Sequence, residues 1–331
     1  MLGPMPNLRA PRPRRPGRPS RRATPGPARI VVLGDLLLDV VLAPTRSLER
    51  ATDVPGRISL VQGGSAANAA RWLGRLGART TLIGAVGRDA VGRALVNAVR
   101  TDGVQVRVVR VAGARTGRIG VMVTPDGERS FVADRGAALQ LGPDDLRPQW
   151  FTRADGLHLP MYSFLGEPLS LAARRAVSLA RESGAFVSID LASIGPLLER
   201  GRQAAVALIE EVAPDLIFAT AAEAQALMGA HVIDSLLDLA PVVIVKRGPQ
   251  GATVLARDGA ANLRFEVATG HRTATDTTGA GDAFDAGFLV GWFAARAAGR
   301  SLPAALQRAA VTGHRAAARQ LSTPRPELPL A

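Results

Sequence analysis

The chain has 331 residues, of which 47% are hydrophobic, and it carries a formal net charge of +13 with no cysteine. This length fits one large α/β domain, and the lack of cysteine excludes disulfides, thiolate zinc sites and a cysteine nucleophile. No apolar run reaches the roughly 18 residues that a membrane-spanning helix needs, so we expect a cytoplasmic protein with no membrane partner.

The positive charge is concentrated at the start of the chain. Residues 1–29 hold eight arginines, eight prolines and no acidic residue, which leaves a charge of only +5 on the rest. We expect residues 1–28 to form a disordered tail, because such a composition supports neither helix nor core. A nucleic-acid arm at residues 9–29 is a rival interpretation that rests on charge alone, and we expect no nucleic-acid partner. No apolar segment of a secretory signal is present there.

From Ile30 onward, short apolar strand patterns alternate with Ala- and Leu-rich helical patterns. The predicted strands are Ile30–Leu33, Leu82–Val86, Gly156–Leu159, Phe186–Ile189, Leu216–Ala219 and Val242–Val245. The predicted helices are Ala66–Leu76, Ala90–Thr101, Leu169–Ser183, Gln203–Glu211, Ala222–Met228, Ala280–Ala298 and Leu302–Arg319. This alternation predicts one three-layer α/β/α domain over residues 29–322 with a mostly parallel sheet. Residues 323–331 are expected to form a C-terminal tail.

Two stretches interrupt the alternation. Residues 40–62 are loop-like and strand-like, with prolines where a helix would be due, and residues 117–135 read as a hairpin that turns at Asp126-Gly127. We expect these two excursions to form a small β lid over a ligand cleft.

The strongest motif is the run from Asp276 to Asp282, DTTGAGD, which leads directly into a helical pattern. Small residues at a helix start present free backbone N–H groups and the positive end of the helix dipole to an anion. An aspartate in such a place would repel phosphate, but it could accept a proton from an attacking hydroxyl. The plainer interpretation is an N-capping aspartate on a glycine-rich turn.

Two further motifs lie near the start of the domain. Gly63 and Gly64 precede a helical pattern, with Asn68 offering a donor and an acceptor in its first turn. Asp35 and Asp39 follow the first strand, where open α/β sheets bind ligands. Asp39 is the better candidate for a pair of sugar hydroxyls; each motif alone is equally compatible with a simple turn.

Taken together, GDxxxD, GGxxxN and DTxGAGDxF resemble, in order and spacing, the ribokinase-like (PfkB-type) carbohydrate kinase family. The resemblance covers roughly Ile30 to Arg319. It implies ATP-dependent phosphorylation of a hydroxyl on a sugar or sugar-like molecule, with Mg²⁺ and, in many members, a monovalent cation such as K⁺. A homodimer is compatible with it.

The resemblance also implies roles for individual residues. Asp282 falls on the catalytic base. Backbone amides at Gly279, Ala280 and Gly281 fall on the anion hole for the transferring phosphoryl group, and the acceptor contacts fall on Asp39, Gly63, Gly64 and Asn68. Gly248 and Gly251 fall on a nucleotide-phosphate loop, Glu223 on a residue that supports Mg²⁺ through water, and Asp276 and Thr278 on the monovalent-cation site.

Three positions depart from the family pattern. Thr220 replaces the asparagine three residues before Glu223; its hydroxyl can still hold a magnesium-bound water but has half of the hydrogen-bonding capacity. Ser65 replaces a lysine and Leu37 an asparagine that ribokinases themselves carry, so ribose is doubtful as the acceptor. Aldopentoses, ketohexoses, keto-deoxy sugar acids and nucleosides stay open.

The chain lacks GxxxxGK[ST], GxGxxG after its first strand, and GxSxG, so a P-loop enzyme, a dinucleotide-binding enzyme and an α/β-hydrolase are not indicated. A nucleoside kinase and a non-catalytic sugar- or nucleotide-binding regulator on the same fold are the alternatives. Lys246, the only lysine, is a candidate nucleotide ligand, although an arginine-rich composition also explains its rarity. For His158 and Tyr162, packing is favoured over substrate contact.

Overall fold

The buried-strand patterns and the two excursions form separate sheets. The structure, a computed structural model, describes residues 26–229, 233–259, 261–270, 277–323 and 325–329, so most of the predicted N-terminal tail lies outside the described residues. The strands are β1 (Arg29–Leu33), β2 (Leu37–Pro44), β3 (Gly56–Gly63), β4 (Arg79–Gly87), β5 (Gln105–Val111), β6 (Thr116–Val123), β7 (Arg129–Gly136), β8 (Gly156–Pro160), β9 (Phe186–Asp190), β10 (Leu216–Thr220), β11 (Val242–Lys246), β12 (Ala252–Asp258) and β13 (Ala261–Val267). The helices are α1 (Ser65–Arg75), α2 (Ala90–Arg100), α3 (Leu169–Glu182), α4 (Ile194–Leu198), α5 (Arg202–Val212), α6 (Ala221–Met228), α7 (Ala280–Ala297) and α8 (Leu302–Ser322).

The large sheet has nine strands in the order β13-β12-β11-β10-β9-β8-β1-β4-β5. All neighbours from β11 to β5 pair parallel, and only the edge pairs β11–β12 and β12–β13 are antiparallel. Successive side chains of β1 enter two different cores: Val31 packs with α3 on one face, and Val32 packs with α1, α7 and α8 on the other. The predicted three-layer α/β/α fold with a mostly parallel sheet is therefore confirmed.

Parallel pairing brings the carboxyl ends of the strands to one edge of the sheet. Asp35 follows β1 at this edge, Asp190 ends β9, Thr220 ends β10 and Lys246 ends β11. Polar side chains from four sequence-distant strands thus gather where open α/β sheets bind ligands.

The small sheet has the order β3-β2-β6-β7 and is made entirely from the two excursions. β6 and β7 pair antiparallel and connect at Gly127, whose φ of +90° is a conformation that glycine adopts readily. The predicted β lid is confirmed. Ile58, Phe131 and Val132 are exposed on it.

Helices α7 and α8 approach closely through glycine. A Cβ added to Gly287 would lie 2.7 Å from the carbonyl oxygen of Thr312, and one added to Gly313 would lie 2.9 Å from the carbonyl oxygen of Phe284. This contact holds α7, whose first turn contains Asp282, firmly against the core. None of the helices in the described part of the chain is long and apolar enough to cross a membrane.

Candidate active site

The first turn of α7 contacts the first turn of α1. Ser65 Oγ donates to Asp282 Oδ1 at 2.6 Å, and Asn68 Nδ2 donates to Asp282 Oδ2 at 2.9 Å. These partners are 217 and 214 residues apart in the chain. The GGSAAN and GAGD motifs, which the sequence treats as separate signals, therefore share one carboxylate.

Glycines permit this approach. Gly279 begins α7 with a φ of +76°, and Gly64 begins α1 with a φ of +94°. A Cβ on Gly64 would lie 2.6 Å from the carbonyl oxygen of Asp35, so a side chain there would force the two loops apart. The amide of Ala280 donates to the Thr277 carbonyl at 3.2 Å in this structure.

The carboxyl group of Asp282 has a raised pKa. Burial, reinforced by the nearby charge of Asp190, raises its pKa to about 7, although the hydrogen bonds from Ser65 and Asn68 and the charge of Lys246 lower it. A carboxyl with this pKa is partly ionised near neutrality and can both take up and release a proton.

Lys246 lies directly behind this turn. Its Nζ donates to Asp190 Oδ1 at 3.2 Å and to both carboxylate oxygens of Asp285 at 3.1 Å, and it would lie 3.4 Å from a Cβ on Gly281. Burial alone would lower the pKa of Lys246, but Asp190 and Asp285 hold it above its usual range, so the lysine is cationic. One ammonium group thus faces two carboxylates beneath the predicted anion hole.

Glu223 lies in the first turn of α6, near the same carboxylates. Its Oε2 accepts from the Thr220 amide at 2.8 Å, and its own amide donates to Thr220 Oγ1 at 3.2 Å, which forms a capping box. Threonine is a good N-cap, so the departure from asparagine preserves the helix start. Burial and the charge of Asp190 raise the pKa of Glu223, against the pull of Lys246.

A cavity of about 510 Å³ opens beside the start of α7. We call it the glycine cavity, because the turn Gly248–Gly251, Gly270 and Gly281 line it together with α8 residues such as Ala317. Gly248 and Gly251 have positive φ, and a Cβ on Gly251 would lie 2.2 Å from the Val267 carbonyl oxygen. The structure therefore places Gly248, Gly251, Lys246 and Gly281 around one space.

The lid side of the turn contains two buried ion pairs, which we call the lid-side ion pairs. Arg135 of β7 donates to Asp35 Oδ2 at 2.8 Å, and Arg325 donates to Asp39 Oδ2 at 2.7 Å. Gly63 makes room for the second pair, since a Cβ there would lie 1.9 Å from Asp39 Oδ1. Asp35, placed second to Asp39 on sequence grounds, is thus engaged by the lid.

Other candidate residues have different surroundings. His158 is buried, contacts Ser188 Oγ at 3.0 Å and packs edge-on against Phe218, as expected for a core residue. The Arg135 guanidinium carbon lies over the Tyr162 ring, 3.9 Å from the centroid of that ring. Asp276 is outside the described residues.

The predicted monovalent-cation site is represented in the described residues by Thr278. Its carbonyl oxygen accepts from Gln320 Nε2 at 3.1 Å. A carbonyl oxygen has two lone pairs, so this hydrogen bond is compatible with cation binding by Thr278. The cation site stays a prediction.

Sequence reasoning missed Asp190, Asp285 and Arg325. Asp190 was detectable as an acidic residue at a strand end, and Asp285 as an acidic residue in an otherwise apolar helical pattern, one turn after Asp282. Arg325 gave no local signal, because its partner Asp39 is 286 residues away.

Comparison with known proteins places this arrangement in a family. Residues 27–327 match the pfkB family carbohydrate kinase description. Fructokinase-1 of Zea mays is 32% identical over 271 residues, which cover 77% of this chain and 80% of that protein.

Solved structures share the fold. Adenosine kinase from Sinorhizobium meliloti matches with a TM-score of 0.75 and 26% identity, covering 92% of this chain and 97% of that one. A fructokinase from Vibrio cholerae O395, solved with fructose, ADP and calcium ion, matches with a TM-score of 0.71, at 21% identity, over 90% and 94% of the two chains. The family match extends over both lid excursions and the whole large sheet. The chain therefore belongs to the pfkB family of carbohydrate kinases and is an ATP-dependent sugar kinase.

Proposed function

We propose that the chain transfers the γ-phosphoryl group of ATP to a hydroxyl of a sugar, with Asp282 as the catalytic base. The observation that carries this proposal is the shared carboxylate: Asp282 is held by Ser65 and Asn68 of α1 and directly follows Gly281, which lines the glycine cavity. A base at the junction of the two regions can contact a hydroxyl from one and a phosphoryl group from the other.

In the proposed step the acceptor oxygen attacks the γ-phosphorus as its proton passes to Asp282. The new O–P bond forms while the bond from the γ-phosphorus to the β,γ-bridging oxygen breaks, and ADP leaves with that electron pair. The amides of Gly279, Ala280 and Gly281 are proposed to stabilise charge on the transferring phosphoryl oxygens, since they lie at a helix N-terminus.

The glycine cavity is the proposed ATP site. Gly248 and Gly251 allow a phosphate to approach the backbone, and the volume suits a nucleotide. Lys246 is proposed to act on the phosphates as a fixed cation from behind Gly281, because Asp190 and Asp285 hold its ammonium group in place.

Magnesium is the proposed ion partner of ATP. The residues present fit it, since the acidic side chains of Asp190, Glu223 and Asp285 outnumber the single ammonium of Lys246, which lines the cavity. The described residues contain no group of three or more His, Asp or Glu side chains arranged to hold a metal ion directly. We therefore propose that Glu223 supports Mg²⁺ through water. When bound, the ion would neutralise phosphate charge.

The proposed acceptor is a ketohexose, with D-fructose as the first candidate, because curated fructokinases are 30–32% identical to the chain. Asp39, Gly63, Gly64 and Asn68 are the proposed acceptor contacts. A nucleoside is the second candidate, since the adenosine kinase fold matches over 92% of the chain.

The test is a coupled ADP-release assay with ATP and Mg²⁺ over ketohexoses, aldopentoses, keto-deoxy sugar acids and nucleosides. We expect the highest kcat/KM for a ketohexose. Higher kcat/KM for a nucleoside would replace fructose by the second candidate. Ligand binding without ADP release for any compound would favour a non-catalytic regulator and contradict the proposed function.

Three further expectations stay predictions. Activation by K⁺ is tested by replacing it with choline in the same assay, and a homodimer by light scattering of the purified protein. A cytoplasmic location is tested by cell fractionation.

A further inference from the structure

The C-terminal segment 325–329 runs along the lid. Val61 of β3 and Glu327 form an antiparallel bridge, and the Leu328 amide donates to the Leu60 carbonyl at 2.7 Å. Leu328 is buried and packs into the core on the α7–α8 face of the large sheet. This short segment is therefore anchored to the lid strand that ends at Gly63.

Two residues before that bridge, Arg325 reaches the proposed acceptor carboxylate. Its Nη1 lies 2.7 Å from Asp39 Oδ2, and the side chains of Arg325 and Asp39 are only 12% and 7% exposed. Exposed ion pairs contribute little to stability. A nearly buried pair fixes the geometry of both groups, and loss of one partner leaves the other charge buried and unpaired.

This contact leaves Asp39 able to bind a ligand. A carboxylate has two oxygens and about four lone-pair sites, so pairing with Arg325 is compatible with hydrogen bonds from a ligand. A guanidinium group fits a carboxylate closely and holds it in a defined geometry. Arg325 therefore presents Asp39 in one orientation to an incoming hydroxyl pair.

We propose that Arg325 is a positioning residue of the acceptor site, delivered by the C-terminal segment, which orients Asp39 for the sugar hydroxyls. This inference rests on the proposed function, because it assumes that Asp39 binds the acceptor. It assigns a role in acceptor binding to Arg325, which the sequence alone places in a C-terminal tail.

The experiment compares steady-state kinetics of the full chain and Arg325→Gln with D-fructose, or with whichever compound gives the highest turnover in the screen. We expect the acceptor KM of Arg325→Gln to rise about 10-fold or more, since hydrogen bonds to charged partners contribute about 1.5–3 kcal/mol. The ATP KM should stay within about twofold. Arg325→Lys should recover part of the loss, because lysine keeps the positive charge but lacks the planar geometry and paired donors of the guanidinium group.

Glu327→Gln is the matched control, since it alters an exposed residue of the same segment and should leave both KM values unchanged. Adding Arg325→Gln to Asp39→Asn should raise the acceptor KM little further, because the two residues act through one contact.

A lower melting temperature of Arg325→Gln with an unchanged acceptor KM would show a structural role only and overturn the inference, as would fully additive effects in the double variant. A wild-type chain that turns over no acceptor would contradict the proposed function, and the inference with it. Wild-type turnover with no acceptor effect in Arg325→Gln contradicts the inference alone.

Discussion

The glycine cavity and the lid-side ion pairs are built from different chemistry. The cavity is formed largely by backbone and small side chains at Gly248, Gly251 and Gly281, with Lys246 fixed behind it. The lid side depends on long side chains, with each carboxylate held by an arginine from a distant element.

This difference predicts separable effects of mutation. We propose that the cavity binds phosphate mainly through backbone amides, so nucleotide binding there should tolerate conservative side-chain changes. The lid side should not tolerate such changes, because removal of one charge leaves its partner buried and unpaired. Variants can therefore be sorted by which kinetic constant changes.

The largest effect is expected at the junction. Asp282→Asn keeps the shape and removes the base, so kcat should fall about 10²–10⁴-fold. Nucleotide Kd should be preserved or improve, because a negative charge near phosphate is lost. Turnover within about tenfold of wild type would rule out Asp282 as the base.

Asp39→Ala tests the lid side alone. We expect a rise in acceptor KM of roughly 10- to 150-fold, from the loss of hydrogen bonds to a charged group, with little change in the ATP KM. Asp53→Ala, in the exposed part of the same excursion, is the control. A change confined to the ATP constant would reverse the assignment of the two sides.

Glu223→Gln tests the acidic side chain that we propose supports Mg²⁺. The Mg²⁺ concentration for half-maximal rate should rise severalfold while the acceptor KM stays constant, because the variant loses a charge but keeps its shape. Glu210→Gln, exposed on α5, is the control. An unchanged Mg²⁺ dependence would remove Glu223 from the metal network.

The smallest expected effect is a shift in the pH dependence of kcat/KM. Asp282 must be ionised to act as a base, so kcat/KM should fall below its pKa of about 7 and level off above it. The hydrogen bond from Ser65 lowers this pKa, so Ser65→Ala should move the acidic limb to higher pH. Ser178→Ala, exposed on α3, should not move it, and an unmoved limb in Ser65→Ala would exclude this tuning.

The large sheet and the lid were predictable because each follows from local pattern: apolar runs between helices for the sheet, and the Asp126-Gly127 turn between β-rich flanks for the hairpin. Asp282 and Asn68 were each named from a motif that spans only a few residues. The contact between Asn68 and Asp282, the position of Lys246 between Asp190 and Asp285, and the Arg325 pair depend on tertiary packing. No local pattern in the sequence encodes these long-range pairings.

Gly63 has a consequence for how this site can diverge. Its φ lies outside the left-handed region, so its backbone does not demand glycine, yet any Cβ would occupy the space of Asp39 Oδ1. The two positions are therefore expected to covary among homologues. A side chain at position 63 should occur only where the carboxylate at position 39 is lost. Such a pair of changes would mark a relative that binds its acceptor without this carboxylate.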